Sequence, residues 1–220
     1  MRTKTLLLSG VVAALSGACA MAQVYSLNAV GYINVTCVTG FSIFANQLNT
    51  TNNNISPLLD SQLLDGGHNG VQLFKYNAAG GAFSSFAVSS TTNWSSPGVT
   101  TTTLNPGEAA YILNPFSTNF TLTFVGTVMQ GSLTNTLLQG FNLISSIVPQ
   151  AGALDTALGD TPNAFDQVFL LNSSGSFSSF TWSGTAWSTG AAPAPAVGQG
   201  FFYYTPNANG LNWIRTFNVN

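Results

Sequence analysis

Gly81-Ala82-Phe83-Ser84-Ser85-Phe86 decides the reading of this chain, because Gly175-Ser176-Phe177-Ser178-Ser179-Phe180 repeats it inside a longer matched series. Upstream, Gln72-Leu73-Phe74-Lys75-Tyr76-Asn77 is answered by Gln167-Val168-Phe169-Leu170-Leu171-Asn172, and Gly40-Phe41 by Gly140-Phe141. Downstream, Trp94-Ser95 is answered by Trp187-Ser188, and Gly107 with Pro115 by Gly198 with Pro206. The offset drifts only from 100 to 91, so small loop insertions separate the copies, and motifs recurring in order mark an internal duplication. The repeated segments are short, rich in β-branched and aromatic residues, and bounded by Gly, Asn, Ser and Pro, which are strand and turn signals. The expected fold is therefore all-β, with two tandem, similar β-sandwich or small-barrel modules and at most one short helix in each.

Working outward, each copy opens on a Gly-Phe strand and closes on a longer one, Phe120 to Val128 and Leu211 to Val219. In the first copy a helix is expected over Ser56–Leu64, with Ser56 as cap, Pro57 in the first helical position and Gly66-Gly67 as the stop. The second copy keeps only Ala153 to Leu158 before Gly159, enough for a single turn. The domain reading is a signal peptide at 1–22, a first β-module at 23–128, a connecting segment at 129–139 and a second β-module at 140–220. Phe124-Val125-Gly126-Thr127-Val128 echoes Ala29-Val30-Gly31-Tyr32-Ile33. Two readings stand: this strand closes the first module and also opens the second, or the two strands merely resemble each other.

The first residues read as an export signal: Arg2 and Lys4, an apolar run from Leu6 to Leu15, then small residues ending Ala20-Met21-Ala22. Cleavage before Gln23 sends the chain to the extracellular space, the cell surface or the periplasm; the rival route lipidates Cys19. No later segment has the ~18 continuous apolar residues of a membrane helix. Without the signal, Lys75 and Arg215 face Asp60, Asp65, Glu108, Asp155, Asp160 and Asp166, a net charge of −4. Two isolated cations cannot neutralise several phosphates, so nucleic acid is excluded as a partner. Charged residues are 5% of the chain against roughly 25% in ordinary domains, which removes a common guard on strand edges and points to self-association. Cys37 alternates with apolar neighbours and reads as a buried strand residue, with an intermolecular disulfide as the alternative.

Chemistry-bearing residues are few. His68, the only histidine, lies in the turn-like Gly66-Gly67-His68-Asn69-Gly70 and reads as a solvent-facing loop residue. Asp60 and Asp65 recur as Asp155 and Asp160 at one offset of 95. Five residues turn a helix by about 140°, so such a pair would not share a face, and capping and turn duty is the plain reading. Contribution to a metal site is the sharper reading, and a glycan-active pair would need two carboxylates roughly 5–10 Å apart in a cleft. Glu108 is Gln199 in the second copy, which argues against duplicated catalysis. In each Phe-Ser-Ser-Phe segment the two rings lie three apart, so on a strand they face opposite sides, one toward the core and one toward solvent. Trp94, Trp182 and Trp187, in polar surroundings, are the candidate ligand platform.

Gly-Phe-Asn-Leu-Ile-Ser at 140–145 and Gly-Gln-Gly-Phe-Phe at 198–202 resemble the opening and closing motifs of uncharacterised secreted tandem β-module proteins of environmental Gram-negative bacteria. Val24 to Val35 resembles the start of their mature chains. The first copy departs from the pattern with Ala109 where the second has Gly200. The resemblance implies export and a β-fold, and brings no catalytic residue and no cofactor. The leading expectation is a secreted or surface-associated, non-catalytic structural or adhesion-type protein whose partners are its own copies or envelope and matrix polysaccharide. The alternative is an extracellular carbohydrate-binding module using the Trp residues, and a polysaccharide-active enzyme is remote.

Overall fold

The structure is a computed structural model and describes residues 29–219. The expected signal at 1–22, Cys19 and the first part of the Val24–Val35 segment lie outside the described residues. The chain is mostly β, and one topology occurs twice. The first half runs β1 (Val30–Cys37), β2 (Gly40–Ala45), α1 (Ile55–Leu63), β3 (Gln72–Asn77), β4 (Ala82–Ala87), β5 (Ala109–Asn114) and β6 (Phe120–Thr127). The second runs β7 (Gly131–Leu137), β8 (Gly140–Ile144), β9 (Gln167–Leu171), β10 (Phe177–Thr181), β11 (Phe201–Thr205) and β12 (Leu211–Phe217). In the first half β1 pairs with β6 and the other strands form a sheet in the order β2-β5-β3-β4; in the second β7 pairs with β12 and the order is β8-β11-β9-β10.

Alternation of side chains places the cores. From β1, Ile33 and Cys37 point inward, and Leu122 and Phe124 join them from β6. They meet Phe44, Leu73 and Ile112 of the four-stranded sheet and Ile55, Leu59 and Leu63 of α1. Burial pushes the Cys37 thiol up to about 12, so it packs as a small apolar residue and stays protonated. The second core assembles Leu137, Val168, Phe201, Tyr203 and Trp213 with Leu154 and Leu158, which come from a turn where the first half has its helix.

Three local details differ from expectation. Segment 129–139 contains β7, whose inward Leu133 and Leu137 supply the apolar pattern seen in the sequence, and it pairs with β12 as β1 pairs with β6. The echo between residues 29–33 and 124–128 belongs to two paired strands, with Gly31 opposite Gly126, and β7 takes the opening place in the second half. Helix α1 begins at Ile55 after Asn54, without a side-chain cap; the Ser56 hydroxyl instead donates to Asp60 Oδ2 at 2.5 Å.

The halves join by reciprocal contacts. Ala45 N–H donates to the Gly198 carbonyl at 2.9 Å and Gly200 N–H to the Ile43 carbonyl at 3.2 Å. Correspondingly, Ser145 N–H donates to the Gly107 carbonyl at 2.9 Å, and Ile144 bridges Glu108 as Phe44 bridges Gln199. Counterpart residues thus stand on both sides, the pattern of a two-fold interface built within one chain. β2, β5, β8 and β11 close into a ring of pairings around Ile43, Ala45, Ala109 and Leu143. Gly200 is glycine because a Cβ there would overlap the Cβ of Ala109 and lie 2.6 Å from Ile43 Cγ2. The counterparts Ala109 and Gly200 meet close to the two-fold, where only one methyl fits.

Candidate functional site

The two four-stranded sheets turn their aromatic faces toward this junction. On β3, Phe74 and Tyr76 share a face, opposite the buried Leu73; cross-strand pairing sets Tyr111 beside Phe74 and Phe83 beside Tyr76. The same register in the second half sets Phe202 beside Phe169 and Phe177 beside Leu171. Phe202 reaches across the junction, its ring centroid 5.7 Å from Tyr76 and 5.9 Å from Tyr111. Phe41 and Phe141 extend the array, 5.9 Å from Tyr111 and 5.9 Å from Phe202 respectively. Most of these contacts are tilted or edge-to-face, the arrangements that the ring quadrupole favours.

Where the sheets splay apart, Phe41, Phe74, Phe83, Tyr111, Leu171, Gly175 and Phe177 line an open cleft of about 510 Å³. Its only polar side-chain atom is Tyr111 Oη, and burial pushes that phenol up to about 12, so it stays protonated at neutral pH. No charged side chain lines the cleft. Phe41, Phe83, Phe141 and Phe177 are each between 44% and 47% exposed. Such a surface can hold apolar matter by burial, at roughly 25 cal/mol for each Å² removed from water, and offers almost no directed hydrogen bonds. Phe83 and Phe86 lie on opposite faces as the sequence predicts: Phe86 is buried in the core.

The Trp residues expected as a platform lie elsewhere. Trp187 is 5% exposed and its indole N–H donates to Asp155 Oδ2 at 2.9 Å; Trp94, half-buried against the first core, donates to Asp60 Oδ1 at 2.7 Å. Trp182 packs on Trp187 with ring centroids 5.3 Å apart and planes at 60°, so the pair is not coplanar. The duplicated Asp60 and Asp155 are thereby explained, since each ties a tryptophan to the helix or turn beneath it. Asp65 and Asp160 have diverged. Asp65 is exposed, accepts from Gly67 N–H at 2.8 Å and lies 2.8 Å from His68 Nδ1, contacts that hold its carboxyl below the ordinary value. His68 is half-buried rather than solvent-facing, its ring 4.8 Å from that of Phe120. Asp160 is 2% exposed and shares the Tyr203 hydroxyl with Asp166, at 3.2 and 2.9 Å. Burial first, then the nearby Asp166 and Asp155, push Asp160 up to about 7. This pair of carboxylates converges in the module core, without lining a cleft that a polysaccharide could enter.

Among the described residues, no group of three or more His, Cys, Asp or Glu is placed to hold a metal ion. Glu108 and Gln199 do the same structural work. Each side-chain oxygen closes its turn, accepting from Asn105 N–H at 2.7 Å and from Ala196 N–H at 3.0 Å. Among the described residues no helix is long and apolar enough to cross a membrane. The aromatic face was missed in the sequence because its rings come from separate strands. The available signal was parity: Phe41, Phe74, Phe83 and Tyr111 recur as Phe141, Phe169, Phe177 and Phe202. No family model matches the chain, and neither a curated protein nor a solved structure matches it.

Proposed function

We propose that this protein is a secreted or surface-associated, non-catalytic adhesion-type module that assembles with its own copies through the aromatic face. The observation that carries the reading is the uncharged cleft with the half-exposed Phe41, Phe83 and Phe177 in its lining and Phe141 beside it in the same aromatic array. Apolar patches of this kind on soluble proteins mark interaction sites. A sugar site would pair its rings with convergent amides and hydroxyls, and one phenol in seven lining residues does not supply them. The charge content removes the main obstacle to self-contact, with four Lys and Arg and six Asp and Glu in 220 residues.

Light scattering over a hundredfold concentration range tests the reading. The parent chain should gain mass with concentration, and Phe41→Ser/Phe141→Ser should shift the onset at least tenfold higher. Mass growth unchanged by the two serines would count against the aromatic face. A saturable tryptophan emission shift with soluble polysaccharides, without mass growth, would replace assembly with sugar binding.

A further inference from the structure

β4 and β10 end their sheets, and each is paired on one side only. On the far side the returning chain covers just the last residue of each strand. Ser95 N–H donates to the Ala87 carbonyl at 2.7 Å while Ala87 N–H donates to Ser95 Oγ at 2.9 Å. Likewise Ser188 N–H donates to the Thr181 carbonyl at 2.9 Å and Thr181 N–H to Ser188 Oγ at 3.0 Å. These bonds fix the phase of both edges, because in an antiparallel strand successive residues direct their N–H and C=O to alternate sides. Phe83 and Ser85 therefore aim their backbone groups outward, as Phe177 and Ser179 do, and among the described residues nothing pairs with them. All four are exposed, and both edges lack the Lys, Pro or bulge that commonly blocks strand addition.

We infer that these twin edges are the joints through which copies of this chain connect, each accepting an edge strand of a second copy by antiparallel β-addition. The occupant is a second copy because each edge is chemically complementary to itself. Both read Phe-Ser-Ser-Phe, neither carries charge, and centring the pairing on Ser84 or Ser178 sets every outward-facing residue against another. Phe83 of one copy then faces Ser85 of the next, exchanging both backbone hydrogen bonds, and the Phe83 rings of both copies fall on one face. Two joints per chain make the contact extendable, so assembly proceeds to open chains of copies rather than stopping at a closed pair. The inference rests on the assembly reading above and adds its geometry.

Proline tests it, since it removes an outward N–H and is tolerated on an edge strand where that N–H faces solvent. In sedimentation and light scattering, Ser85→Pro or Ser179→Pro alone should stop growth at two copies, and Ser85→Pro/Ser179→Pro should remain monomeric, with circular dichroism reporting the fold. Ser85→Lys/Ser179→Lys keeps both N–H groups and guards against a proline that unfolds the edge. It should weaken assembly at least tenfold at low salt and recover part of it at high salt, as like charges are screened. If the folded proline and lysine variants assemble like the parent while Phe41→Ser/Phe141→Ser does not, edge pairing is overturned and the aromatic reading stands. A parent that stays monomeric throughout overturns both.

Discussion

One sheet position distinguishes the two halves more sharply than any other. Just before β3 and in the middle of β5 the first half buries Val71 and Ile112; at the matching places the second half carries Asp166 and Tyr203, joined by Asp160. In the first half the counterpart of Asp160 is Asp65, which lies at the surface beside His68. One half fills the site with hydrocarbon under a nine-residue helix, and the other pins a helix-free loop with a phenol between two carboxylates. The strand order survives both solutions, so it is set by the sheet pattern and the Gly-Phe openings rather than by this corner of the core. The polar solution places a proton-binding group inside the second core where the first core holds hydrocarbon. It also leaves one oxygen on each of Asp160 and Asp166 unpartnered, a desolvation cost the hydrocarbon solution avoids.

The comparison breaks hardest at the tryptophans. Trp187→Ala should destabilise the chain by about 3–5 kcal/mol, as truncation of a large buried aromatic does, and it leaves the Asp155 carboxylate with the Thr156 N–H but without the indole donor. Trp94→Ala should cost clearly less because its ring is only partly buried; equal costs in urea unfolding would show that the two pins are equivalent. Next is Tyr203→Phe, which removes the one donor shared by Asp160 and Asp166 and should cost about 1–3 kcal/mol at neutral pH. The folded Asp160 carboxyl titrates at about 7, above the unfolded value of roughly 3.9. Its favourable contribution is therefore complete below about pH 4 and is lost as pH rises through 7, at roughly 1.4 kcal/mol for each unit of difference. Stability measured from pH 4 to 8 should fall across this window, and Asp160→Asn should flatten the slope. The smallest effect is Ser56→Ala, about 0.5–1.5 kcal/mol from the lost hydroxyl contact to Asp60. The second half has no counterpart of that contact, and thermal melting would register the loss as a shift of a few degrees.

The fold was largely legible because duplication supplies a second copy of each strand pattern and of each turn glycine. The site was not, and particular residues show why. The offset of 95 between Asp60 and Asp155 was visible, but the indole each carboxylate binds lies 34 or 32 residues along the chain, and no local pattern encodes that distance. Polar flanks made Trp94, Trp182 and Trp187 look exposed, whereas the loop bearing Trp187 folds back over its own module core. Asp166 has no duplicate to mark it, because its counterpart is a valine, and repetition highlights only what both copies share. Residues 129–139 read as a connection because the repeat was phased on Gly-Phe, one strand too late.

The four-strand ring at the junction also bears on how the chain reaches its native state. Its closing bonds join Ile43 and Ala45 to Gly198 and Gly200, partners separated by most of the polypeptide, so the first half cannot complete its own sheet edge when it collapses. Pairings this distant carry a large loop-closure entropy and slow the search. At roughly 5–20 residues per second of synthesis, the end of β2 waits on the order of ten seconds for residues 198–200 to appear. During that interval the nascent chain carries a half-finished sheet whose one charged strand residue is Lys75, and the turn that leads into β11 later acts as the clasp for β2.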